Sequence, residues 1–421
     1  MPRPPRPTAA LVAVVAALLP LLWAAPPAAA QGSRCTFPAE VYKGRPWSLQ
    51  RVNPEELWKA AGTKGAGVRI AVIDTGVDAS HPQLRAAVDR TAGAKFLKGG
   101  AEKTAEKGTP PSRTAQLGAK NGTTDFVGHG TKIAGIIAAR PADGTGFVGL
   151  APEATIVPII QNDENGSGTS DTLAEAIVYA VDRAKVQIIN ISQDTATALR
   201  ADSALEQAVE YALRRNVLVI ASAGNDGLGG AVKETYPAAY PGVLAVAASD
   251  RTNERASFSQ SGAFVGVAAP GVDMVSTVPK GGHCSDNGTS FSAPYAAGVA
   301  ALLRAKHADW TARQITARLQ QTAQRTIRGR DRLVGWGVVD PVRALSGDAE
   351  PIDAPYEDHT TLSRAQLPTP ARLPAGETEE QRTERLATYA LVAAAALLAL
   401  TAGAARVHRD RARRRGDAAS R

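Results

Sequence analysis

Five apolar runs of strand length alternate with amphipathic helical stretches, and this alternation limits the chain more than any other feature. VRIAVIDTG (68–76), TIVPIIQ (155–161), VQIINIS (186–192), VLVIASAGN (217–225) and VLAVAAS (243–249) are nearly continuous in apolar residues. Between them, SDTLAEAIVYAVDRA (170–184) places apolar residues at 173, 176, 177, 180 and 181, behind a capping Ser-Asp. DSALEQAVEYALRRN (202–216) repeats that pattern. Strands apolar on both faces, joined through helices, predict an α/β fold with a mostly parallel sheet covered on both sides. In such sheets functional groups collect at the carboxyl ends of the strands. Asp74, Ser192 and Asn225 all fall at such ends.

Residues 91–124 break the rhythm. They are polar, rich in Lys and Gly, and without apolar period, so they are expected to form a long surface loop.

The flanks carry membrane signals. Residues 1–30 run from Arg3 and Arg6 through LVAVVAALLPLLWA to Ala28-Ala29-Ala30, the pattern of a cleaved secretory signal peptide. Residues 386–405 are twenty uncharged, mostly apolar positions, long enough for a transmembrane helix. The Arg-rich stretch 406–421 follows at once and assigns the C-terminus to the cytoplasm. The five prolines between 347 and 385 predict a semi-extended linker. The formal charge of +8 is concentrated at the two ends, so it argues against a nucleic-acid partner. Cys35 and Cys284 are the only cysteines. In an exported chain the default is a Cys35–Cys284 disulfide, with two free buried thiols as the other possibility.

Four glycine-bearing turns carry groups suited to chemistry. Asp74 ends an apolar strand, where a fixed carboxylate can orient a histidine. His129, in Gly128-His129-Gly130-Thr131, opens a helix and can act as a general base. Asn225, in SAGNDG, can donate its amide to a developing oxyanion. Ser290, in GTSFSAP, precedes a helix whose N-terminal N–H groups can supply a second donor. Each has an ordinary structural reading alone: a capping Asp, a packed His, a turn Asn. His81 and Ser292 are the competing imidazole and hydroxyl, read as a helix-start packing residue and a cap.

Together the four occur in the order Asp, His, Asn, Ser. The segments VIDTGVDASHPQL, GHGTKIAGIIA, GLAPEATIVPI, NIS, ASAGND and GTSFSAPYAAGVAALL resemble those of the subtilisin-family (subtilase) serine proteases. The resemblance covers about residues 58–346. It implies a subtilisin-like fold and a catalytic triad of Asp74, His129 and Ser290, with Asn225 and the Ser290 N–H forming the oxyanion hole. It also implies a peptide substrate laid as an added strand between Gly166-Ser167-Gly168 and the strand ending at Ser192. Gln193-Asp194 departs from the glycine or small apolar stretch that usually follows NIS. The calcium loops of secreted subtilisins are not recognisable, so neither metal nor cofactor is predicted.

The short 31–57 N-terminal extension, the 91–124 insertion, the Pro-rich linker, the single span and the basic tail resemble the mycosins, membrane-anchored subtilases of type VII secretion systems. That resemblance implies a cell-membrane endopeptidase facing outward, with a type VII secretion membrane complex as partner. The other reading is a structural subunit that stabilises such a complex, with proteolysis secondary.

Overall fold

The computed structural model describes residues 35–97, 118–163, 168–193, 203–228, 233–347, 349–357 and 379–419. The expected signal peptide and most of the 91–124 insertion and 347–385 linker lie outside these residues. Two units are distinguished, one up to residue 359 and one from 360.

Among the described residues of the first unit, seven strands form one parallel sheet. They are β1 (Arg69–Asp74), β2 (Ala94–Lys95), β3 (Thr155–Ile160), β4 (Ile188–Ile191), β5 (Leu218–Ser222), β6 (Leu244–Ser249) and β7 (Val267–Pro270), in the order β2-β3-β1-β4-β5-β6-β7. A hairpin, β8 (Met274–Thr277) with β9 (His283–Asp286), stands apart and is antiparallel. β1 lies between β3 and β4, where the direction of strand order reverses. A crevice opens at such a point beyond the strands' carboxyl ends, and Asp74 is the last residue of β1.

Strand residues alternate between two cores, which explains why the strands read as unbroken apolar runs. Ile70, Val72, Ile188, Leu218, Ile220, Leu244 and Val246 join one cluster. Ala71, Ile73, Ile189, Ile191, Val219 and Ala221 join the other. The second cluster is capped by α4 (Ser170–Asp182) and α5 (Ala204–Arg214), whose one-sided apolar stripes leave a charged face to solvent. The first is filled by α3 (His129–Ala138) and α6 (Thr289–Lys306).

Helix α6 is buried from Thr289 through Arg304, which accounts for its run of Ala and Gly. A Cβ at Gly298 would lie 2.8 Å from Leu150 Cβ. α7 (Ala312–Thr322) and α8 (Pro341–Leu345) close the domain, and α1 (Trp47–Gln50) and α2 (Pro54–Ala61) open it. Their indoles are anchored: Trp47 Nε1 donates to Val272 O at 3.0 Å, and Trp58 Nε1 to Leu150 O at 2.8 Å.

The N-terminal residues run along the β8–β9 hairpin. Ala39 N–H donates to Gly281 O, His283 N–H to Glu40 O, and Tyr42 N–H to the Nδ1 of His283. The Cys35–Cys284 disulfide is formed, with Cα atoms 6.1 Å apart. The strap and the strand leading to Ser290 are therefore covalently joined.

Three local expectations change. The cap of α4 is Thr169, whose side chain accepts from the Thr172 N–H, while Ser170 and Asp171 already lie inside the helix. The 91–124 stretch is not wholly loop, because Ala94–Lys95 pairs with Ile159–Ile160 as an edge strand. Ser292 is no cap: it sits inside α6 with no exposure, its hydroxyl facing Gly271, while Gly288 holds the N-cap position.

In the second unit, α9 (Glu379–Ala419) is one continuous helix. Its stretch Glu379–Arg409 contains the expected 386–405 span and is long and apolar enough to cross a membrane, its most apolar 18 residues having a mean hydropathy of 1.9.

Candidate active site

Asp74 is fully buried at the end of β1, and His129 starts α3 directly against it. The approach depends on Gly130, where a Cβ would fall 2.1 Å from Gly76 O and 3.1 Å from Asp74 Cβ. His129 Nδ1–H donates to Asp74 Oδ1 at 2.8 Å and lies 3.0 Å from Oδ2. A carboxylate can only accept, so this contact fixes the tautomer and leaves Nε2 as the free basic nitrogen. Asp74 Oδ1 also accepts the Thr75 N–H at 2.8 Å.

A second carboxylate holds the turn before the histidine. Asp125 Oδ1 accepts from Val127 N–H, Gly128 N–H and Thr75 Oγ1. Its Oδ2 accepts from Thr131 N–H and Thr131 Oγ1, all at 2.7–3.0 Å. Sequence reasoning missed this residue. Its signal was present in Asp-x-x-Gly-His-Gly-Thr, an acceptor set to gather the N–H groups of a helix start. Burial pushes the Asp125 carboxyl up, against the pull of these hydrogen bonds.

Burial works to lower the His129 pKa. The charge and hydrogen bond of Asp74, then the charge of Asp125, outweigh it; Lys132 opposes them, and the net result is a raised value.

Ser290 occupies the second position of α6, where backbone N–H groups have no partner within the helix. It is 8% exposed, whereas Ser292 is sealed. Pro294, four residues on, has no N–H to give to the Ser290 carbonyl. Ser192 Oγ supplies that bond instead at 2.9 Å, and itself accepts from Asn190 Nδ2 at 2.9 Å. The Ser192 side chain is therefore committed to positioning Ser290. Among the described residues no hydrogen bond joins His129 to Ser290; their link in this state is the Phe291 ring, 5.6 Å from the imidazole. Such pairs tighten when substrate arrives.

Asn225 lies just beyond β5. Its Oδ1 accepts from the Thr289 N–H at 2.9 Å and from Thr289 Oγ1 at 3.0 Å. With the oxygen so held, Nδ2 is turned outward. Thr289 Oγ1 accepts in turn from Gly224 N–H, joining the β5 turn to the start of α6. The amide donor and the Ser290 N–H are thus presented by two elements tied through one threonine. That arrangement suits stabilisation of an oxyanion.

Of the expected substrate-binding residues, Gly166 and Ser167 lie outside the described residues. A Cβ at Gly168 would clash with Gln161. Gln161 Nε2 donates to Thr169 O and Thr172 Oγ1, and its Oε1 accepts from Gln193, so amides cross the crevice above the end of β1. His81 is buried, donating to Gly282 O and accepting from Gln83 N–H, away from the Asp74 carboxylate. Among the described residues no cluster of His, Cys, Asp and Glu suits a metal ion.

Comparison with known proteins places this geometry. A model of the subtilase family matches residues 65–337. Subtilisin E of Bacillus subtilis is 35% identical over 296 residues, covering 70% of this chain and 70% of the relative. Among solved structures, the MycP3 protease from the type VII (ESX-3) secretion system aligns with 33% identity and a TM-score of 0.62, over 73% of this chain and 91% of that one. MycP1 from Mycobacterium smegmatis aligns with 30% identity and a TM-score of 0.62, over 77% and 90%.

Proposed function

The chain belongs to the subtilase family and is a subtilisin-like serine protease, and from that premise we propose that it is a membrane-anchored endopeptidase acting outside the cytoplasmic membrane in association with a type VII secretion complex. Ser290 is the nucleophile. His129 Nε2 takes its proton and later returns it to the leaving amine, and Asp74 holds the imidazole and balances the imidazolium. Asn225 Nδ2 and the Ser290 N–H receive the oxyanion of each tetrahedral intermediate. The acyl-enzyme is then hydrolysed by water, again with His129 as base. The observation that carries this reading is the 2.8 Å Asp74–His129 contact at the crevice of the sheet, facing a helix start whose carbonyl Ser192 has fastened.

The secretion association is supported by the likeness to the MycP1 and MycP3 structures, and the anchoring by the apolar stretch of α9 followed by arginines. The substrate is a peptide chain, lying between the 166–168 segment and the residues after β4.

Hydrolysis of a chromogenic peptide by the full chain tests the catalytic part. Asp74→Asn should lower kcat by about 10⁴-fold with the fold intact, because the wrong imidazole tautomer is then favoured. An unaltered kcat would remove Asp74 from the reaction.

A further inference from the structure

Helix α3 carries, one turn after His129, a lysine that the mechanism does not use. Lys132 is 9% exposed at its side chain, and its Nζ donates to Asp286 Oδ2 at 2.8 Å. Asp286 is the last residue of β9, four residues before Ser290. The same helix turn is stitched to β8: Ser276 Oγ donates to Lys132 O at 2.6 Å and Thr277 Oγ1 to Thr131 O at 2.9 Å. Lys132 Nζ stands 6.0 Å from the centre of the Phe291 ring, and that ring stands 5.6 Å from the imidazole of His129. The ammonium and the imidazole thus border the same aromatic side chain, which is itself buried.

We propose that Lys132 and Asp286 are positioning residues for the reaction: their ion pair fastens the turn that carries Ser290 to the helix that carries His129, and the lysine charge offsets the carboxylates around the imidazole. This rests on the reading of His129 as the general base. The charged groups facing that ring are Asp74 from β1, Asp125 from the preceding turn and Lys132 from α3 itself, with Asp286 of β9 reaching it through Lys132. Two carboxylates favour the imidazolium, which cannot accept a proton from serine. One fixed cation opposes them. A nearly buried lysine is costly unless paired, and Asp286, half in solvent, supplies the partner.

The two partners act on the imidazole with opposite sign, and a merely structural role would not produce that result. The test is the pH dependence of kcat/KM on a chromogenic peptide, with the full chain in detergent. Lys132→Met should move the acid limb up by about half a pH unit, Asp286→Asn should move it down by a similar amount, and Lys132→Arg should restore the wild-type position. Asp286 is exposed enough for its amide to be tolerated, so the downward shift is readable even if Lys132→Met fails to fold. Limbs that coincide in active variants, or shift in the same direction, would overturn the proposal while leaving the protease standing. A folded wild type with no hydrolysis would overturn both.

Discussion

Ser192 Oγ donates a 2.9 Å hydrogen bond to the carbonyl of Ser290, the acceptor that Pro294 leaves without an intrahelical partner. The helix start bearing Ser290 is thereby fixed from the neighbouring strand end, which explains a proline inside an otherwise buried helix. Removing the hydroxyl leaves a buried carbonyl unsatisfied. Ser192→Ala is expected to cost about 1–3 kcal/mol in urea unfolding and to lower kcat more than it alters KM. A variant as stable as wild type would mean that another donor reaches Ser290 O.

As the proposed oxyanion donor, Asn225 should act on the transition state alone. Its oxygen is held by Thr289, so only the amide nitrogen faces the site. Asn225→Ala should lower kcat by about 10²- to 10³-fold with KM little changed, a range for which subtilisin itself is the reference case. Equal loss in KM would place the amide in ground-state binding instead.

The Cys35–Cys284 bridge closes a loop of 249 residues between strap and hairpin. Long loops gain most from such closure, with a typical effect of about 2–4 kcal/mol. The double variant Cys35→Ser/Cys284→Ser should unfold at correspondingly lower denaturant, and a non-reducing peptide map of wild type should show the two cysteines in one linked peptide. Two free thiols in that map would reject the bridge.

His283 makes stability depend on acid. Its Nδ1 accepts the Tyr42 N–H of the strap and its Nε2–H donates to Gln83, so both ring nitrogens are used in the neutral form. Burial, then the neighbouring His81, push its pKa down to about 4 from an ordinary 6.5. The unfolded chain therefore binds this proton first as pH falls. The contribution of His283 is constant above about pH 6.5 and declines between there and about pH 4, by roughly 3 kcal/mol in all. Denaturation at a series of pH values should show this limb, and His283→Gln should flatten it. A limb of equal slope in the variant would assign the effect to other groups.

Most of the candidate site was legible because each of its parts is local. Asp74, His129, Asn225 and Ser290 each stand in a short turn that follows a strand or opens a helix, and the period of the neighbouring apolar residues locates those boundaries. Contacts that join distant segments by polar groups were not legible. Asp125 looks like any loop aspartate until its five donors are seen. Lys132 looks like a solvated lysine until Asp286, more than 150 residues later, is brought against it. The neighbours Ala293-Pro294 suggest a cap at Ser292, but the helix begins three residues earlier and buries it. β2 escaped notice because a two-residue edge strand has no period.

The central claim is that one hydroxyl, that of Ser290, forms the acyl-enzyme, and its covalent capture is the most direct test. Full-length protein treated with a fluorophosphonate and analysed by intact mass and peptide mapping should gain a single adduct, on the peptide containing Ser290. The adduct should vanish in Ser290→Ala and persist in any folded Ser292→Ala variant. A folded wild type that takes up no label, or a label that survives Ser290→Ala, would contradict the account.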